Sequence, residues 1–178
     1  EEQGFAAATF DAIGARAGYS RGLASQKFGS KDGLVTAVIA FLTARVAAHY
    51  QSRVASIKSP LARILAYVEV LLAELETDRL FRAYFVMMAS AVANRGSMQD
   101  AFLAAHEGVR ERLRDLVTTG QKAGEIDTGL DGDTVALAIG SLQLGIAVEL
   151  LLDPALDVAS LSATVQEAMR RILRVTGP

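Results

Sequence analysis

GFAAATFDAIGARAGYSRGLASQKFGSKDGL, residues Gly4 to Leu34, contains two short helical segments joined by a glycine turn, with basic residues gathered on the second. A residue able to cap a helix N-terminus precedes each helical run: Thr9 before FDAIGARA, Ser20 before RGLASQKF and Ser30 before KDGLVTAV. Gly18 stands where the first helix must stop and the chain must turn, a position that favours a residue tolerating positive φ. From Arg16 to Lys31 the cations are Arg16, Arg21, Lys27 and Lys31, with no acidic residue among them. A compact helix-turn-helix with a local positive field suits the placing of one helix in a DNA major groove.

The rest of the chain constrains that reading. Its 178 residues suffice for one large domain, or a small domain joined to a larger one, with a core that needs no disulfide or metal. Formal net charge is −2, so affinity for a polyanion must come from the local cluster and not from bulk charge. Cysteine is absent, which removes disulfide frameworks, thiolate metal sites and cysteine nucleophiles and fits a reducing compartment. The opening residues EEQGF are polar and acidic, unlike a signal peptide, and read as the tail of a first helix that is truncated here. Thr134 to Leu152, TVALAIGSLQLGIAVELLL, has the length of a membrane span. However, Gln143 and Glu149 interrupt it, and Asp133 and Asp153 bound it without flanking cations, so a buried helix is expected and no membrane.

Apolar periodicity and punctuation give helices throughout and no credible strand. Ser30 opens a helix to about Ile57, with Leu34, Val38, Phe41, Leu42 and Arg45 spaced for one face. Ser59-Pro60 is a cap followed by proline at the first helical position, and Leu61, Leu65, Val68, Leu72 and Leu75 form the next stripe. Asp78 opens RLFRAYFVMMASAVA, which stops at Asn94-Arg95-Gly96. Ser97 starts a helix with the stripe Phe102, His106, Val109, Leu113 and Leu116. Gly120 to Asp133 reads as a connector. Two further helices follow, Asp133 to Leu152 and about Ala155 to Val175, the latter with Leu161, Val165, Met169, Ile172 and Leu173 on one face. The fold class is all-α with about nine helices: a helix-turn-helix domain over residues 1–40 and a larger helical domain over 41–178.

The N-terminal stretch resembles the DNA-binding signature of the TetR family of bacterial transcriptional regulators. The resemblance is carried by Gly4-Phe5, Thr9, Ile13-Gly14, Ala17-Gly18, Ser20-Arg21-Gly22, Ser25, Phe28 and Ser30-Lys31-Asp32-Gly33-Leu34. Three positions depart from the family pattern. Ser25 stands where tyrosine is usual, Lys27 where histidine or tyrosine is common, and Gly14 where alanine is common, the last weakening its helix by roughly 1 kcal/mol. The resemblance implies a recognition helix from Ser20 to Phe28, with Arg21, Leu23, Ser25 and Gln26 near base edges. Arginine pairs with guanine and glutamine with adenine, so Arg21 and Gln26 are the residues suited to reading sequence. Thr9, Lys27 and Lys31 would hold phosphates, helped by the helix starts at Ser20 and Ser30. With Gly22, these complete the expected DNA-binding set.

A two-fold dimer presents two recognition helices and implies a palindromic operator with half-site centres about 34–36 Å apart, or a multiple of it. The nearly all-apolar helix from Asp133 and its partner helix are the natural joint, through Leu142, Ile146, Leu150, Val165, Met169 and Ile172. The alternative is that these helices fill an intramolecular core. Tyr67, Phe81, Tyr84, Phe85, Met88, Phe102 and His106 concentrate aromatic and flexible groups with a few polar tips, as a pocket for a small hydrophobic molecule would, or as an ordinary core would. In the family such a ligand releases DNA, the output is usually repression, and the protein is cytoplasmic and associated with the nucleoid. No catalytic residue, metal or cofactor is expected, because His49 and His106 lie on different helices and the carboxylates fall on solvated faces. A dimeric helical scaffold that has lost DNA binding is the competing reading, and Ser25 is its support.

Overall fold

The computed structural model describes residues 21–93 and 97–173. Among these the chain forms seven helices and no strand: α1 (Arg21–Phe28), α2 (Lys31–Val54), α3 (Pro60–Thr77), α4 (Arg79–Ala93), α5 (Ser97–Lys122), α6 (Gly132–Leu152) and α7 (Val158–Leu173). Gly4 to Ser20, with Thr9 and the Gly18 turn, lie outside the described residues, and so does the Asn94-Arg95-Gly96 stop.

Side-chain caps set most of the described boundaries. Ser30 Oγ accepts from the Gly33 amide at 3.0 Å, just after Gly29 turns the chain at φ +70°. Ser59 Oγ accepts from the Ala62 amide at 3.0 Å, with Pro60 at the first position of α3, as the Ser-Pro pair predicts. Asp78 Oδ1 accepts from the amides of Leu80 and Phe81 at 2.7 and 3.2 Å and so aims α4. Asp131 and Asp157 do the same for α6 and α7. The connector before α6 is shorter than expected: α5 runs through Gly120 to Lys122, and Gly124 at φ +72° makes the turn.

Helix α3 is the axis of the body, packed against α2, α5, α6 and α7. It is buried on more than one side, through Ile64, Val68, Val70, Leu72 and Leu75, so the single stripe read from sequence understates its burial. On α2 the buried face is Val35, Ile39, Leu42, Val46 and Tyr50, one step around from the expected stripe, and Phe41 is exposed. Much of the α2 circumference is apolar, so spacing alone does not select a face. Helix α2 is continuous across residue 40, and Ile39, Leu42 and Val46 join the same core. Residue 40, where the two expected domains meet, therefore lies within a continuous helix. Both α2 and α6 have the length and hydropathy to cross a membrane, yet each contributes core residues to this packed body.

Candidate functional site

Helix α1 packs on α2 and turns Gly22, Leu23, Ser25, Gln26 and Lys27 outward, all exposed. Lys31, at the start of α2, is half-buried. Lys27 Nζ lies 5.7 Å from the centroid of the Phe28 ring, and Phe28 is half-buried. Among the expected DNA-binding residues, Thr9 and Ser20 lie outside the described residues, as does the side chain of Arg21.

A cavity of about 360 Å³ opens inside the helical body between α2, α3, α4, α5 and α6. Five of the seven expected pocket residues line it: Tyr67, Phe81, Tyr84, Phe85 and His106. Met88 and Phe102 do not. They are buried in the core behind the wall, where Phe102 meets the Tyr84 ring edge-on at 5.0 Å. The rings of Phe81, Tyr84 and Phe85 lock one another in edge and stacked contacts at 5.2 to 5.9 Å, which makes that wall stiff.

Sequence reasoning missed the opposite walls. Helix α2 supplies Thr43, Val46, Ala47, Tyr50 and Gln51, and α6 supplies Ala136, Gly140, Ser141, Gln143 and Leu144. Gly140 faces open space, with nothing within 4 Å of a Cβ built there. His106 lies on the cavity wall, its ring parallel to Tyr84 at 6.5 Å.

The polar lining is mostly neutral. Burial pushes the Tyr84 hydroxyl up to about 12. Burial also raises Tyr67 and Tyr50, with the charge of Arg112 pulling against it at both. Burial lowers His106 below the usual histidine value, so it is neutral near pH 7. Arg110 is neutralised by Glu107 at 2.9 Å. Arg112, Gln51, Leu103 and Leu137 are exposed and form the rim.

The expected interface residues divide. Ile146, Leu150, Val165 and Met169 are buried within one chain, so they belong to its core and offer no surface to a second. Leu142 and Ile172 are exposed, and Val148 and Leu152 are exposed beside Leu142 on the outer face of α6. This helix therefore has two apolar faces, one turned inward and one outward.

Residues 1–38 match the TetR family of bacterial regulatory proteins, and residues 60–174 match the C-terminal domain of BetI-type transcriptional repressors. No curated protein matches the chain. Among solved structures, the fold is similar to a TetR-family transcriptional regulator from Rhodococcus sp. at 21% identity and a TM-score of 0.82, covering 97% of this chain and 90% of that one. It is also similar to the transcriptional regulator FadR from Bacillus subtilis in complex with stearoyl-CoA, at 16% identity and a TM-score of 0.85, covering 96% and 91%. A transcriptional regulator from Saccharomonospora viridis in complex with choline gives 16% identity and a TM-score of 0.79, covering 97% and 90%. At these identities the likeness is one of fold.

Proposed function

This chain belongs to the TetR family of bacterial regulatory proteins, and from that premise we propose that it is a cytoplasmic, non-enzymatic repressor whose homodimer leaves a palindromic operator when a small hydrophobic ligand fills the cavity. The observation that carries this reading is the course of α2. One end of this helix supports α1, and the other contributes Thr43, Val46, Ala47, Tyr50 and Gln51 to the cavity. Its 24 residues span about 36 Å without a break. A molecule that binds one position of α2 better than another thereby biases where α1 stands, by no more than its differential affinity. The ligand-bound relatives, one holding stearoyl-CoA and one choline, support this fold as a ligand carrier and leave the ligand class of this chain to its own cavity.

In this reading Arg21 and Gln26 contact base edges with Gly22, Leu23 and Ser25 beside them, while Thr9, Ser20, Lys27 and Lys31 hold phosphates. The two chains join through the outer face of α6, around Leu142, Val148 and Leu152, with Ile172 of α7. Gly145 on that face has no atom within 4 Å of a built Cβ, so a second helix can come close.

Selection of bound duplexes from a random pool, followed by affinity against salt, tests the proposal. The expected result is an enriched palindrome with half-site centres about 34–36 Å apart and a steep salt dependence. Folded, dimeric protein with no enriched sequence would favour the scaffold reading. A dimer that survives Leu142→Arg in sedimentation would move the interface elsewhere.

A further inference from the structure

The cavity lining is one-sided in its hydrogen bonding. Among the described residues Gln143 is the one buried polar or charged side chain, at 6% exposure, and its amide nitrogen Nε2 has no hydrogen-bond partner. Among the described residues, the other buried side-chain atom without a partner is Nε of Arg110. Both residues line the cavity, one from α6 and one from α5, and both orphaned atoms are donors. A buried donor left unpaired costs roughly 1–3 kcal/mol, and folded proteins contain few of them. Gln143 interrupts the inward apolar stripe of Ala136, Ile139, Ile146, Ala147 and Leu150. A breach of the local pattern of this kind marks a position kept for something other than stability.

The charges around these donors narrow what can satisfy them. Glu107 already balances Arg110, and the cation of Arg112 stands at the exposed rim. A cation drawn past the rim would be repelled by Arg112, and an anion would give up its hydration for one exposed, solvent-screened guanidinium. A carbonyl oxygen loses far less on transfer and brings two lone pairs to the Gln143 amide, whose covered, orphaned N–H a turn about the last side-chain torsion would present to the cavity. The walls of Phe81, Phe85, Val46, Leu71 and Leu113 suit an apolar remainder.

We infer that the cavity takes an uncharged, mainly apolar molecule bearing a carbonyl-type oxygen, and that the Gln143 side-chain amide selects it by donating to that oxygen. This inference rests on the reading of the cavity as the effector site.

Calorimetry of the full chain with methyl decanoate, decanoate, decylamine and decane tests it. The ester is expected to bind more tightly than the other three. Gln143→Leu is expected to weaken the ester about tenfold and leave decane unchanged, and about 1.4 kcal/mol is the corresponding loss for one hydrogen bond. Gln143→Met, which keeps the length of the side chain, is expected to lose the same preference. Ester affinity unchanged in both variants, or decanoate bound more tightly than the ester, would overturn the inference and leave the cavity as a ligand site. Failure of both the ester and decane to bind the wild-type chain would overturn the cavity reading together with it.

Discussion

A methyl group added at Gly120 would lie 2.6 Å from Cδ1 of Ile126, whereas one added at Gly140 would meet no atom within 4 Å. The two glycines belong to the same helical body and have apolar neighbours, so composition does not explain the contrast. Around Gly120 the core closes completely: Ile64, Val117 and Ile126 are at 0% exposure. Glu125 Oε2 ties that region to the start of α3 by accepting from Ser59 Oγ at 2.6 Å and from the Leu61 amide at 3.1 Å. On the cavity side of α2 and α6 the small residues Ala47, Ala136, Gly140 and Ser141 stand among larger ones, and the cavity's other wall is of aromatic rings that hold one another in place. Small side chains opposite a stiff wall leave a void that the surroundings do not collapse to fill. The sealed region supplies stability, and the open one supplies room.

That contrast can be broken most readily in the sealed region. Ile64→Ala is expected to cost about 4 kcal/mol in denaturant unfolding, while Leu116→Ala on the half-open cavity wall should cost about 1–2 kcal/mol. Equal losses would erase the distinction. Gly120→Ala is expected to cost about 2 kcal/mol, because Ile126 and Pro60 must give way to the new methyl. An unchanged midpoint would mean that the region is looser than its distances imply. Gly140→Leu should act with the opposite sign, stabilising the fold by about 1 kcal/mol through helix propensity while abolishing methyl decanoate binding in calorimetry. Retained binding would put the ligand elsewhere.

The smallest effect expected is at His106. Its folded pKa is lowered by burial, so stability is full above the unfolded histidine value of about 6.5. It falls as pH drops from that value towards the lower folded one. His106→Gln is expected to flatten that part of the pH–stability curve, and an unaltered slope would assign the dependence to other groups.

The sequence made some of this legible because certain residues act alone. Ser30, Ser59-Pro60 and Asp78 mark helix starts by chemistry that needs no tertiary partner, and each does so in the structure. The aromatic run from Phe81 to Phe85 identified one cavity wall for a similar reason, since it is local in the chain. The opposite wall was not legible. Ala47, Ala136 and Gly140 matter by what they leave empty, and Tyr50 and Gln143 join them only after α2 and α6 have packed. Helix α6 misled for a related reason: it is apolar all round, so nothing local says that Ile146 and Leu150 turn inward while Leu142 and Leu152 turn outward.

Arg45, read from sequence only as a member of the α2 stripe, reaches across to Glu74 at 3.4 Å and to Asp78 where α3 gives way to α4. At a rise of about 1.5 Å per residue, Lys31 lies about 21 Å along the helix axis on one side of this clamp and Tyr50 about 8 Å on the other. Spin labels on α1 and on the helical body, compared between wild type and Arg45→Met, would measure whether the clamp governs where α1 stands. A fulcrum set this far off centre has a gearing of about three, so a shift of about 1 Å on the short arm swings the long arm by about 3 Å.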